Sequence, residues 1–315
     1  MARFKVVLTD QVFPDTQLEQ KMLGEIDAVL EIADGSMDDV LARVGDADAV
    51  LTTYFPISAD TIAHLGQCKI IARYGIGMDN VDVVAATDRG ITVTNVPDYS
   101  VEEVAAHALA MLLALLRRLP QADDLVRSGG WQMDPLRPIR RLSTLTVGLV
   151  GYGRIARRLA SSLRSLGMNV IVHDPFVQPT PDGPELVELD ELLSRSDAVS
   201  MHAPLTPDTK GMIAAPQLAQ MGDDAVLVNT SRGGLVVLDD VLSALRAGTL
   251  RAAGMDVFDV EPLAIERIEG VPNLLVSPHM AYYSEEALGE SQRKATTQIV
   301  KVLSGEPPDY PVVPA

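Results

Sequence analysis

Cysteine occurs once in 315 residues, so no disulfide can close within the chain. That cysteine lies in the apolar run Cys68-Lys-Ile-Ile-Ala72, the setting of a buried structural thiol, and suits a reducing cytoplasm. Positive charge is also scarce: 26 Lys and Arg stand against 43 Asp and Glu, a net charge of −17. A phosphate backbone rewards basic stripes, so this balance argues against a nucleic-acid surface and reads as a solvated acidic exterior. Any anionic ligand must then be met by locally placed cations. Long apolar runs are missing too. The longest, Val104 to Leu116, is interrupted by His107 and is too short to span a bilayer, so a buried helix and no membrane partner are expected. The N-terminal MARFKVVLTD lacks the apolar segment and small-residue cleavage site of a signal peptide, which again predicts a cytoplasmic protein. No internal repeat and no metal site are expected.

What the chain does contain is a recurrence of short Val/Ile/Leu runs between helical stretches. They fall at Lys5–Leu8, Ala49–Leu51, Lys69–Ala72 and Ile91–Val93, then at Thr146–Val150, Asn169–Val172, Ala198–Ser200, Ala225–Val228, Ala252–Met255 and Asn273–Val276. Continuous apolar strands suit burial on both faces, and their alternation with helices implies parallel βαβ units. The expected fold is α/β, with two doubly wound parallel-sheet, Rossmann-like domains; the length suits about two domains of roughly 150 residues. A closed eight-stranded barrel is the alternative, but a long helix at 100–119 and an irregular segment at 128–143 break its rhythm. That segment holds the only tryptophan, Trp131, with Arg137, Arg140 and Arg141, and reads either as a connector or as an arm that packs on a partner subunit. A last helix is expected over 284–303, opened by Ser284-Glu-Glu.

The strongest motif is Thr146-Val-Gly-Leu-Val-Gly-Tyr-Gly-Arg-Ile-Ala156. Read as G-x-G-x-x-A, it puts Gly151 at a tight turn, Gly153 where backbone must approach a pyrophosphate, and Ala156 where helix packs on strand. A helix starting near Arg154 would aim free N–H groups at the phosphates, and Arg154 adds a full charge. Asp174, at the end of the following strand, can accept both ribose hydroxyls. Its carboxylate would repel a 2′-phosphate, and Pro175-Phe-Val brings no cation, so NAD is the expected cofactor. His173 reads as a strand-end residue.

Five further strings occur in order: Arg73-Tyr-Gly-Ile-Gly-Met-Asp-Asn-Val-Asp82, His202-Ala-Pro-Leu-Thr-Pro-Asp-Thr209, Asn229-Thr-Ser-Arg-Gly-Gly234, Gly254-Met-Asp-Val-Phe-Asp-Val-Glu-Pro262 and Ser277-Pro-His-Met-Ala281. With the glycine fingerprint ahead of the last four, this order resembles the D-isomer-specific 2-hydroxyacid dehydrogenase family. Arg73-Tyr-Gly-Ile-Gly and His279-Met-Ala-Tyr-Tyr-Ser284 are similar to the branch that contains the C-terminal-binding-protein corepressors. The resemblance implies a nucleotide domain, 99–282, inserted into a substrate domain made of 1–98 and 283–315. It also implies a homodimer with the Trp131 loop at the subunit interface, and cofactor contacts from Val104, Ile155, Pro175, His202, Ala203, Pro204, Thr209, Thr230, Ser231 and Asp256. The Asp256 carboxylate would accept a hydrogen bond from the nicotinamide carboxamide.

Interconverting a 2-oxo acid and a 2-hydroxy acid requires a proton donor, a charge on the carbonyl and an anchor for the carboxylate. His279 can exchange the proton, Glu261 can orient and charge the imidazole, and Arg232 can hold the carboxylate and polarise the carbonyl. The resemblance implies the same three roles. Gly75-Ile76-Gly77 can turn backbone N–H groups toward a carboxylate, with Arg73 beside them. Arg137 or Arg140 would add charge for a second anionic group. Tyr54 and Phe55 read either as substrate contacts or as core, and His64 and His107 as structural residues without a partner pattern. The sequence departs from the family at Ala156, at Tyr282 where the corepressor branch has Trp, and in the short loop between Glu261 and His279. The expected activity is NAD-dependent oxidation of a D-2-hydroxy acid and its reverse. Alternatives are a dinucleotide-sensing dimer and a variant acting on formate or phosphite.

Overall fold

The computed structural model describes residues 2–181 and 183–314. In chain order it forms β1 (Phe4–Leu8), α1 (Gln17–Gly24), β2 (Ala28–Ile32), α2 (Met37–Val44), β3 (Ala49–Thr52), α3 (Ala59–Ala63), β4 (Ile70–Arg73), α4 (Val83–Asp88) and β5 (Thr92–Thr94). There follow α5 (Val101–Leu116), α6 (Leu119–Arg127), β6 (Thr146–Val150), α7 (Arg154–Ser165), β7 (Asn169–His173), β8 (Glu185–Leu186), α8 (Leu189–Arg195), β9 (Ala198–Met201) and α9 (Ala215–Leu218). The chain ends with β10 (Val226–Asn229), α10 (Leu238–Ala247), β11 (Ala252–Met255), β12 (Leu274–Val276), α11 (Glu285–Leu303) and β13 (Pro311–Val312). Residues up to Tyr99, together with those from Ser284 onward, make one compact unit; Ser100–Tyr283 make the other. Among the described residues no helix is long and apolar enough to cross a membrane.

The first unit carries a six-stranded sheet ordered β13-β5-β4-β3-β1-β2, parallel except where β13 pairs antiparallel with β5. Strands β3 and β4 are buried along their whole length, as their unbroken apolar runs require. Strand order reverses at β1, so the loops after β1 and β3 part and leave a crevice at the carboxyl ends. The second unit holds seven parallel strands ordered β12-β11-β10-β9-β6-β7-β8. Here the order reverses between β6 and β9. Helix α7 buries Ala156, Leu159, Ala160 and Leu163, which share one face at helical spacing, in the same core as Leu112 and Leu115 of α5. Each fully buried Leu stabilises by about 1.5–3 kcal/mol.

Both sheets fit the expected doubly wound α/β class. Three strands escape a search for apolar runs: β2 is only partly buried and interrupted by Glu31, and β8 and β13 are two-residue edge strands. The helix expected over 100–119 is α5, which stops at Leu116, and a second helix, α6, follows it. Arg118 takes a left-handed turn (φ 54°), and Pro120 starts α6, where its missing N–H costs nothing. The 128–143 segment holds only two short 3-10 turns, and Trp131 in it is 84% exposed.

Candidate active site

Strands β10, β11 and β12 are neighbours, so the loops at their carboxyl ends meet although they are far apart in sequence. The loop after β12 carries His279, whose backbone adopts a left-handed φ of 52°. Its N–H donates to the Asp256 carbonyl at 2.8 Å, which ties this loop to the end of β11. Imidazole Nδ1 lies 2.7 Å from Glu261 Oε2, and Glu261 Oε1 accepts the Phe258 N–H at 2.8 Å. The short Glu261–His279 loop therefore brings the pair within hydrogen-bond distance. Burial pushes the Glu261 carboxyl upward, but the hydrogen bonds from His279 and Phe258, with the charges of His279 and Arg232, outweigh it and leave the pKa below the carboxylate value of 4.5. Tyr282 places its ring edge-on to the imidazole at 6.2 Å.

Arg232 follows β10 in a loop braced from beneath. Buried Asn229 donates from Nδ2 to the Arg232 carbonyl at 2.8 Å and accepts the Ser231 N–H at 3.0 Å. Ser231 Oγ donates to the Ala203 carbonyl at 2.8 Å, and the Arg232 guanidinium donates to the Ser231 carbonyl at 2.8 Å. Gly233 lets this loop lie directly on the next one: a methyl there would overlap the Phe258 carbonyl. The close approach brings Arg232 to the turn that carries Glu261.

The glycine loop sits where strand order reverses. Gly151 has φ 90°, and a side chain on it would stand 2.7 Å from the Ala203 nitrogen at the end of β9. A Cβ on Gly153 would meet nothing within 4 Å, so open space lies before the N-terminus of the twelve-residue α7, with Arg154 exposed beside it. Asp174 accepts the Tyr152 N–H at 2.7 Å and the Phe176 N–H at 2.9 Å. It therefore pins the glycine turn and keeps lone pairs for a diol. Thr230 Oγ1 is buried with no hydrogen-bond partner among the described residues. An open cradle at a helix N-terminus, a carboxylate at the next strand end and a hydroxyl unpartnered among the described residues fit a dinucleotide such as NAD.

The remaining expected cofactor contacts scatter around this loop. Val104 is buried on α5, Ile155 is half-buried on α7, and Pro175 and Pro204 are exposed. Thr209 Oγ1 donates to the Pro204 carbonyl at 2.6 Å and so closes the 204–209 turn. His202 sits with Nε2 2.9 Å from Ser200 Oγ, and burial lowers its pKa to about 4. Asp256 is fully buried: Oδ1 accepts from Ser277 Oγ at 2.5 Å and Met280 N–H at 3.0 Å, and Oδ2 from Ala281 N–H at 2.9 Å. Three of its roughly four acceptor positions thus serve the His279 loop, a use that the sequence reading missed.

In the first unit Arg73 is buried at the end of β4, with left-handed Gly75 behind it. Asn95 Nδ2 donates to the Ile76 carbonyl at 2.7 Å, fixing the turn through Gly77. Asp10, after β1, accepts backbone N–H groups of Thr53, Tyr54 and Phe55 at 3.0, 2.6 and 3.2 Å. It organises the crevice loop of that sheet. Its signal in the sequence is only a carboxylate at a strand end. Phe55 is core, whereas Tyr54 is 46% exposed.

One expectation fails. Arg140 is bonded to Asp197 and to the Thr144 carbonyl, at the amino ends of β9 and β6, so it stands opposite the carboxyl-end loops that carry Arg232 and His279. It cannot supply charge to that site of its own chain. His107, read as structural, has a partner that the sequence did not point to: its Nε2 lies 3.0 Å from Ser277 Oγ. Among the described residues His64 holds only a local contact, Nδ1 to the Asp60 carbonyl.

Comparison with known proteins agrees with this geometry. Residues 109–281 match the family model for the D-isomer specific 2-hydroxyacid dehydrogenase, NAD binding domain. The chain is 36% identical over 278 residues to a glycerate dehydrogenase of Methylorubrum extorquens, covering 86% of this chain and 87% of that one. It is 36% identical over 305 residues to a D-3-phosphoglycerate dehydrogenase of Mycobacterium tuberculosis, covering 96% of this chain but 57% of that protein, so it spans little more than half the length of such relatives. The crystal structure of D-lactate dehydrogenase from Aquifex aeolicus, complexed with NAD and lactic acid, superposes with a TM-score of 0.87 at 28% identity over 96% of each chain. The chain belongs to the D-isomer-specific 2-hydroxyacid dehydrogenase family of NAD-binding oxidoreductases.

Proposed function

We propose that the protein interconverts a small 2-oxo acid and the corresponding D-2-hydroxy acid. The observation that carries this reading is the 2.7 Å His279–Glu261 contact beside the Arg232 loop. Glu261 is ionised at neutral pH and engages Nδ1, so Nε2 is the ring atom that exchanges the substrate proton. NADH held by the glycine loop, Asp174 and Thr230 would supply the hydride for reduction, and NAD in the same place would accept it in oxidation. His279 gives its Nε2 proton to the carbonyl oxygen as that oxygen becomes an alkoxide, and takes it back in the reverse direction. Arg232 binds the substrate carboxylate and stabilises negative charge on the oxygen. Arg73 and the amides of Gly75, Ile76 and Gly77 form a second anion-binding element. Asp174 accepts the adenosine ribose hydroxyls, which favours NAD over NADP. The first unit is the substrate domain and Ser100–Tyr283 the nucleotide domain.

The same reading makes the protein a cytoplasmic homodimer. Trp131 (84% exposed), Met133 (64%), Leu119 (56%) and Val126 (52%) crowd large apolar side chains into one stretch of chain, the composition of a buried interface. The direct experiment is NADH oxidation with a panel of glyoxylate, hydroxypyruvate, pyruvate and longer 2-oxo acids. Turnover of at least one is expected, and His279→Ala should slow it by about 10²–10⁴-fold while NADH still binds. NADH binding without turnover of any acid would overturn the enzymatic reading in favour of a dinucleotide sensor.

A further inference from the structure

We propose that His107 is a positioning residue for the His279 loop, acting through Ser277 and Asp256; the inference rests on the reading of His279 as the acid–base group. His107 lies in the second turn of α5, a helix otherwise buried by apolar contacts. Its Nε2 is 3.0 Å from Ser277 Oγ and 3.7 Å from Asp256 Oδ1. Ser277 Oγ is 2.5 Å from Asp256 Oδ1. Asp256 also receives the N–H groups of Met280 and Ala281, and its own carbonyl receives the N–H of His279.

The direction of this chain follows from what each group can donate. A carboxylate that collects two backbone N–H groups is acting as an acceptor, so the proton in the Ser277–Asp256 contact is the serine's. Ser277 has no second proton to give, and its oxygen accepts from His107 Nε2–H. The chain therefore runs from His107 to Ser277 to Asp256, where the Met280 and Ala281 amides arrive from the other side. Between these anchors stands His279, a residue with a side chain in the left-handed region. Six hydrogen bonds, one of them from the Ser277 N–H to the Met255 carbonyl, tie residues 277–281 to the end of β11 and to α5, so the imidazole is aimed by a network it does not itself touch. Helix α5 thereby fixes the angle at which His279 presents Nε2.

The test separates this inference from the activity on which it rests. Backbone amide hydrogen exchange needs no substrate: in His107→Leu the Met280 and Ala281 amides should exchange at least tenfold faster, with the β10 amides unchanged. In an active enzyme the same variant should lose about tenfold in kcat with little change in NADH affinity. His107→Gln, whose amide nitrogen reaches the Nε2 position, should restore most of both properties, whereas His107→Asn, which reaches only the Nδ1 position, should not. Ser277→Ala should reproduce His107→Leu. Unchanged Met280 and Ala281 exchange in both His107→Leu and Ser277→Ala overturns the proposal, as does equal rescue by Gln and Asn. Absence of turnover in the unmodified protein, with the exchange pattern as expected, would instead count against the catalytic reading of His279.

Discussion

His279 Nδ1 and Glu261 Oε2 stand 2.7 Å apart, with Glu261 held below the ordinary carboxylate pKa. A carboxyl group with a lowered folded pKa contributes its charge fully above its unfolded value and loses it as pH falls through the folded one. At neutral pH the pair is therefore a carboxylate hydrogen-bonded to an imidazole. Glu261→Gln keeps an acceptor for Nδ1–H but removes the charge. Carbonyl reduction should fall about 10²-fold near pH 7.5. A rate within about twofold of the unmodified enzyme would mean that Glu261 only orients the ring.

Gly233 sets how closely the Arg232 loop approaches the Glu261 turn, because a methyl there meets the Phe258 backbone rather than a movable side chain. Gly233→Ala should destabilise the protein by about 1–3 kcal/mol, the range for overpacking, and should depress kcat/KM for the 2-oxo acid more than it weakens NADH binding. Thermal unfolding and steady-state kinetics on the same preparation check both. An alanine variant with unchanged stability would mean that the two loops separate at no cost.

Asp174 has two tasks that one substitution separates. Its oxygens pin Tyr152 and Phe176, and we assign the remaining lone pairs to the ribose hydroxyls. Asp174→Ala should weaken NADH through loss of both, while NADPH escapes the charge repulsion. The NADPH/NADH ratio of kcat/KM should rise about tenfold, equivalent to about 1.4 kcal/mol. An unmodified enzyme that prefers NADPH would remove the basis for assigning Asp174 to the ribose.

Much of this site was legible because its determinants are local. Gly151, Gly153 and Ala156 announce a strand–turn–helix by spacing alone, and unbroken apolar runs reveal doubly buried parallel strands. Edge strands such as β8 carry too little apolar sequence to register. The Asp256–Ser277–His107 chain was illegible for a different reason. It joins three residues from a helix and two loops, and nothing in the neighbours of His107 along the sequence distinguishes a core histidine from a hydrogen-bonded one. Arg140 misled for the converse reason: charge and nearness to other arginines in sequence say nothing about which end of a parallel strand a loop serves.

His202 offers a last measurement at the edge of the glycine loop. Burial lowers its pKa to about 4 from the ordinary 6.5, so the folded protein binds fewer protons at this residue than the unfolded chain does between those values. Its contribution to stability is complete above pH 6.5 and is lost as pH falls through about 4. Melting temperature followed from pH 8 to pH 4 should thus drop more steeply below 6.5 for the unmodified protein than for His202→Gln, which keeps a polar group near Ser200 Oγ and has no proton to gain. Parallel curves, or an imidazole resonance that titrates near 6.5, would show that solvent reaches the ring. A neutral His202 also adds no charge to the dinucleotide cradle near pH 7. The positive field there then comes from Arg154 and the N-terminus of α7, and NADH affinity should weaken about as much in Arg154→Ala at pH 5.5 as at pH 8.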